Sequence, residues 1–358
     1  MKYYSLKKIL AEKCDYNIVI GERSNGKTYA ALKWILTEYV KNGNAGAYIR
    51  RWRDDVMGKR AETIFNALVK NNDVYKITKG KYSNIVFSRG AWHLSNFNAE
   101  KNRMIADTDP FCYAFALSNV EHDKSASFPS IKNIVFDEFI TRRYYLADEF
   151  IIFMNVLSTV IRDKSDVTIL MLGNTVNKYC PYFNEMGLMN VEQMEQGAID
   201  VYTFANTLKI AVEYCGASEG KKSNKYFAFD NARLNMIING KWEIAIYPHI
   251  PSGYKIKHSD ILFTFFITFG SKKVGCDIVL KNSDYFIFCR PHTRDIGETD
   301  LEYSLSYTPT LYKRKSFLTP IDETDYKIGN FFAKNRVFYQ SNDIGEIVHN
   351  FLLAITAK

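Results

Sequence analysis

Gly21–Glu22–Arg23–Ser24–Asn25–Gly26–Lys27–Thr28 is a complete G-x-x-x-x-G-K-[ST] loop. The strand-like run Tyr16–Asn17–Ile18–Val19–Ile20 leads into it, and Tyr29 to Val40 reads as a helix. Those flanks turn a pattern into a mechanism and disfavour a chance glycine turn. Gly21 and Gly26 let the backbone wrap an anion with its N–H groups pointing inward. The helix N-terminus adds partial positive charge at the same place. In such a loop Lys27 reaches the β- and γ-phosphates of a nucleotide and Thr28 holds Mg²⁺. The whole segment, with Glu22, Arg23, Ser24 and Asn25, is the expected nucleotide-binding loop, and Arg23 is a further phosphate contact or a residue that resets the site.

Further along, Asn133–Ile134–Val135–Phe136–Asp137–Glu138 is an apolar strand ending in two carboxylates. In a P-loop fold an Asp there joins the Mg²⁺ shell. A Glu directly after it polarises the attacking water. Alone, the pair would read as a charged, solvated turn. Guanine-reading signatures are missing: Asp137 has no glycine three residues on, and Asn177–Lys178–Tyr179–Cys180 lacks the aspartate of an N-K-x-D element. ATP is therefore the expected nucleotide. Asn174 follows the strand-like run Thr168–Gly173 and reads as a γ-phosphate or water sensor, or as a turn residue.

Glu149 to Ile161 carries apolar residues at helical spacing, and Arg162 ends that helix. In an alternating sheet such a helix runs back from the catalytic edge. Arg162 then lies too far from its own P-loop to serve it, and is the arginine-finger candidate for a neighbouring subunit. The other reading is a helix C-terminal cation that complements the macrodipole. Candidates for DNA or subunit contact are Arg50, Arg51 and Arg53 in one basic cluster, and Lys124 in a polar loop. A solvated loop lysine is the alternative for the last.

Strands alternate with helices through the first two hundred residues, which argues for a mostly parallel sheet covered on both faces. Residues 56–70 read as a helix and 73–97 as hairpin-like strands. Near residue 216 the texture becomes small, polar and charged, as in a linker. Asn239–Gly240 between apolar runs is a hairpin signal. Beyond about 249 the pattern is β-rich, with a meander over 261–268, 274–280 and 284–289 and a closing helix over 344–357. The expected domains are 1–216, 217–248 and 249–358.

The chain of 358 residues is 47% hydrophobic and carries a formal charge of +8, spread along its length. That composition excludes a disordered chain and favours phosphate-rich partners. No apolar run approaches a membrane span, and the N-terminus lacks a signal-peptide core. Six cysteines without CxxC or metal-like spacing fit a reduced, cytosolic protein.

GERSNGKT at 21–28, AYIRRWR at 47–53, IVFDEFI at 134–140, TVIR at 159–162, LGNTVN at 172–177 and CPYF at 180–183 together resemble the DNA-packaging motor ATPases of phi29-like bacteriophages. The resemblance covers most of residues 15–190. It implies an ASCE-type P-loop ATPase domain, a linker domain, and a smaller α+β C-terminal domain of RNase H-like, nuclease-derived and vestigial kind. It implies a pentameric homo-oligomeric ring at the portal vertex of a procapsid in the host cytoplasm, absent from the mature virion. ATP hydrolysis would drive double-stranded DNA through that ring, and some members dock on a structural RNA. Motif by motif, Lys27 and Thr28 match the P-loop residues, Asp137 the Mg²⁺ acid, Glu138 the catalytic glutamate, Arg162 the arginine acting across the interface, and Lys124 the lysine before the acidic strand. The alternatives are a terminase-like enzyme with a working nuclease, and a P-loop assembly switch. Candidate nuclease carboxylates are Asp260, Asp277, Asp284, Asp295, Glu298, Asp300 and Glu302, whose spacing demands no metal.

Overall fold

The computed structural model describes residues 4–122, 127–141, 145–175, 180–216, 247–250, 254–306 and 308–356. Lys124, most of the expected linker (217–246) and the Asn239–Gly240 hairpin signal lie outside the described residues. The chain divides into two compact units, residues 1–142 with 148–243, and residues 143–147 with 244–358.

In chain order the first unit runs α1 (Lys7–Ala11), β1 (Tyr16–Gly21), α2 (Lys27–Asn42), β2 (Ala45–Arg50), then short helices α3 (Gly58–Ile64), α4 (Asn66–Lys70) and α5 (Asp73–Ile77). Next come β3 (Asn84–Ser88), β4 (Ala91–Asn98), β5 (Arg103–Ala106), β6 (Cys112–Ala116), β7 (Ile131–Asp137), α6 (Glu149–Ile161), β8 (Thr168–Asn174), α7 (Pro181–Glu185), β9 (Ile199–Phe204) and β10 (Leu208–Tyr214). The strands form one sheet in the order β3-β4-β6-β2-β7-β8-β1-β10-β9, with β5 paired to β4. β6, β2, β7, β8, β1 and β10 are mutually parallel along that path. Their central positions read as continuous apolar runs because both faces are covered; Ile18, Val19, Ile134, Val135, Leu170 and Met171 are buried.

β8 stands between the P-loop strand β1 and the acidic strand β7. That extra strand, with the glutamate after β7, is the arrangement the ASCE class is named for. Because these strands are parallel, Gly21, Arg50, Asp137 and Asn174 all end at one edge, where ligands bind in open α/β sheets. Gly21 is paired with Asn174, and Asp137 with Leu172.

Two local expectations need correction. The single helix over 56–70 is broken at Phe65, whose backbone (φ −90°, ψ 2°) leaves the helical region. Residues 73–77 are helical rather than extended: Asn72 takes a left-handed turn and Asp73 supplies an acid in the new first turn.

The second unit contains β11 (Ile261–Phe269), β12 (Lys272–Lys281), β13 (Asp284–Pro291), β14 (Glu302–Ser304), β15 (Lys313–Arg314), α8 (Glu323–Ala333), β16 (Val337–Tyr339) and α9 (Asn342–Thr356). β11, β12 and β13 form the expected antiparallel meander. The full order is β15-β14-β11-β12-β13-β16, with β14 parallel to β11 and β15 parallel to β14. A meander followed by two strands parallel to its first member is the RNase H-like strand plan. One face packs Phe265, Ile267, Cys276 and Tyr303 against Val348 and Phe351 of α9. Among the described residues no helix is long and apolar enough to cross a membrane, and the six cysteines are buried free thiols.

Candidate nucleotide site

The loop between β1 and α2 closes on itself. Gly26 caps α2 with φ 96°, a conformation open to glycine at little cost. A Cβ at Gly21 would sit 2.2 Å from Cys215 Sγ, so this position requires glycine for close packing as well as for its backbone. Asn25 is buried and ties the loop to its surroundings. Its Nδ2 donates to Cys215 Sγ at 3.0 Å, its Oδ1 accepts from the Lys27 backbone N–H at 3.2 Å, and its carbonyl accepts from Tyr4 N at 3.0 Å.

Lys27 is 5% exposed. Its ammonium donates to Glu22 O at 2.6 Å, and at 3.3 Å to Gly21 O, Asn25 Oδ1 and Asn174 Oδ1. A buried ammonium needs such acceptors. They hold it at the loop mouth, where a phosphate oxygen would exchange with them. Asn174, expected at the carboxyl edge, is there and touches the P-loop lysine directly. Arg23 and Ser24 are exposed at the loop tip, and Glu22 is buried.

Thr28 Oγ1 lies 3.1 and 3.3 Å from the two Asp137 oxygens. Tyr48 on β2 donates to Asp137 Oδ2 at 2.7 Å. Burial, reinforced by the charge of Asp137, raises the Tyr48 pKa well above its ordinary value, so the phenol stays a donor. A hydroxyl and a carboxylate converging in this way are the hard oxygen donors Mg²⁺ takes from proteins, the rest of its shell being water and phosphate. The residues present therefore fit that ion. Among the described residues no cluster of three or more His, Cys, Asp or Glu forms an all-protein metal cage.

Glu138 follows Asp137 with φ 57°. This left-handed turn, supported by Glu138 N–H donating to Asp137 Oδ1 at 3.0 Å, directs its side chain away from the strand. Its carboxylate is 54% exposed and accepts from Arg50 Nη2 at 2.7 Å. Arg50 also approaches Asp137 at 3.7 Å and Asp55 at 3.7 Å. Burial opposes its charge, but the carboxylates of Asp137 and Glu138 more than offset this and hold its pKa above the usual value.

The basic cluster is thus not a uniform DNA-facing patch. Arg50 belongs to the nucleotide edge. Arg51 is 5% exposed and bonds Glu149 at 2.7 and 2.9 Å. Neither side chain is presented to solvent as the sequence suggested, because β2 lies beside β7 and delivers both into the carboxylates around it. Arg53 is exposed. Arg162 caps α6, six residues before β8 begins, and so stands at the sheet edge opposite the P-loop. Seven strand residues separate the edges by roughly 20 Å.

In the second unit four of the seven candidate nuclease carboxylates have cationic partners. Asp277 takes Arg290 at 2.6 and 3.1 Å, Asp300 takes Arg294 at 2.6 and 2.8 Å, Glu302 takes Lys313 at 2.6 Å, and Asp260 takes Lys281 at 3.3 Å. The Arg294 contact lowers the Asp300 pKa to about 2, so that carboxylate is charged throughout the neutral range.

A sequence model of the Podovirus DNA encapsidation protein (Gp16) matches residues 1–113 and 95–222. The DNA packaging protein of Bacillus phage phi29 is 27% identical over 185 residues, 51% of this chain and 49% of that protein. The DNA packaging protein of Bacillus phage B103 is 29% identical over 178 residues, 48% of each chain. The match thus spans about half the length of these curated relatives. The solved structure of the phi28 gp11 DNA packaging motor superposes with a TM-score of 0.55 at 18% identity, over 99% of this chain and 98% of that one. At that identity the likeness is one of fold, and it extends through both units.

Proposed function

Since the chain belongs to the Podovirus DNA encapsidation protein family, matched across its first 222 residues, we propose that it is an ATP-driven double-stranded DNA translocase that packages a viral genome. The observation that carries this reading is the single sheet edge where Lys27, Thr28, Asp137 and Glu138 converge. A nucleotide switch needs the first three; the fourth is needed only for turnover.

Lys27 exchanges its loop carbonyls for phosphate oxygens. Thr28 and Asp137 would hold Mg²⁺, which when bound would neutralise charge developing on the phosphate. Tyr48 fixes the Asp137 carboxylate, and Asn174 orients the lysine. Glu138, held at this edge by Arg50, polarises the attacking water and takes its proton. Arg162 of one subunit completes the site of the next. Subunits therefore work as a ring, of five by family resemblance, at the portal of a procapsid. DNA contacts go to backbone phosphates through exposed cations such as Arg53 and through Lys124. The ion-paired acids of the second unit support translocation without cutting.

Two results are expected. Duplex DNA of any sequence stimulates steady-state ATP hydrolysis, and the stimulation falls steeply between about 50 and 200 mM salt. Sequence-dependent stimulation, or metal-dependent cleavage of the DNA, would replace this reading with a terminase-like nuclease. Arg50→Ala lowers kcat about tenfold to a hundredfold by releasing Glu138, while the ATP dissociation constant changes little. An equal loss in affinity would place Arg50 on the nucleotide instead.

A further inference from the structure

We propose that Arg51 and Glu149 are positioning residues that link a subunit's own hydrolytic edge to the arginine it lends its neighbour. The inference rests on the reading of Arg162 as acting across the subunit interface, and it assigns the internal parts of that device. Arg51 directs four N–H bonds from one guanidinium. Nε and Nη2 donate to the two Glu149 oxygens at 2.7 and 2.9 Å, Nη1 to Glu138 O at 3.2 Å and Nη2 to Phe139 O at 2.7 Å. Tyr182 adds a hydroxyl donor to Glu149 at 2.8 Å. The Arg51 and Glu149 side chains are 6% and 1% exposed. Burying an ion pair gives little net stability, but a bidentate pair fixes an angle and a register.

That register belongs to α6. Glu149 opens the helix and Arg162 caps its far end, 13 helical residues or roughly 20 Å away. Along its length α6 is fastened to β7. Phe153 packs on Phe136 with ring centroids 5.0 Å apart, and Tyr182 meets the same two rings at 5.8 and 5.6 Å. Beyond the far end, Lys164 Nζ donates to Phe128 O and Ile131 O, both at 2.7 Å. The helix is therefore a strut held at both ends. Its N-terminus is bolted, through Arg51, to the backbone of the residue expected to polarise water. Its C-terminus carries the residue expected to enter the next site. A shift of Glu138 and Phe139 on nucleotide turnover moves the strut, and with it Arg162.

Complementation between two inactive variants tests this. In an equal mixture of Glu138→Gln and Arg162→Ala chains, hydrolysis arises only where an Arg162→Ala site is completed by a Glu138→Gln neighbour. Glu149→Gln is then added to the Glu138→Gln chain. Its own site is already silent, so any effect acts through the arginine it supplies. The expected result is a roughly tenfold loss of complementation, with ATP affinity equal to that of the parent. Tyr182→Phe in the same background keeps the ring packing, removes one bond to Glu149, and is expected to cost about threefold; it decides the matter if Glu149→Gln does not fold. Undiminished complementation by the folded variants overturns the link. Silence of the first mixture overturns the interface assignment itself, and the link with it.

Discussion

Glu138→Gln is expected to bind ATP as the wild type does and to hydrolyse it roughly 10²- to 10⁴-fold more slowly. The amide keeps the shape of the carboxylate and one acceptor, so the φ 57° turn and the bond to Asp137 survive. What disappears is the group that takes the proton from water. Lys27, Thr28 and Asp137 are untouched, so the nucleotide still finds its acceptors and donors. Equilibrium binding of a fluorescent ATP analogue beside steady-state phosphate release separates the two effects. A variant that turns over normally would remove Glu138 from the chemistry. A variant that no longer binds would mean that Glu138 shapes the loop.

Arg162→Ala is the second large effect. An arginine supplied to a phosphoryl-transfer site from a neighbouring chain contributes about 10³- to 10⁵-fold in rate. Arg162 is exposed and stands roughly 20 Å from its own P-loop, so its loss should leave ATP binding intact and collapse hydrolysis in the assembled ring. The same substitution in dilute, unassembled chain should change the residual rate little, because no neighbour is then present to complete the site. Rate measured against protein concentration checks this. An equal loss at every concentration would place Arg162 in its own site or in the stability of α6.

The parts of this site that were legible in the sequence are those encoded over short range. The glycine loop, its flanking strand and helix, the apolar strand ending at Asp137, and the thirteen residues of α6 each declare themselves by local spacing. Arg50 was visible as a charge, but its role was not. That depends on β2 lying next to β7, a pairing between residues about ninety apart in sequence. The same holds for Tyr48, for Glu149 and for Cys215 against the P-loop. The hairpin of β9 and β10 went unread because its turn uses Ala205 and Asn206 at positive φ, without the glycine that usually marks one. Helix α8 did carry a signal. Asp322 caps it, accepting from the backbone of Thr324 and Asp325.

The central claim is that hydrolysis at this sheet edge moves DNA. The most direct measurement incubates the chain with procapsids, duplex DNA and ATP, then counts DNA made resistant to added nuclease. Wild type should protect DNA only when ATP is present and hydrolysable, and Glu138→Gln should protect none. Steady hydrolysis by the wild type in that mixture with no DNA protected would contradict the account, leaving an ATPase that is not a packaging motor.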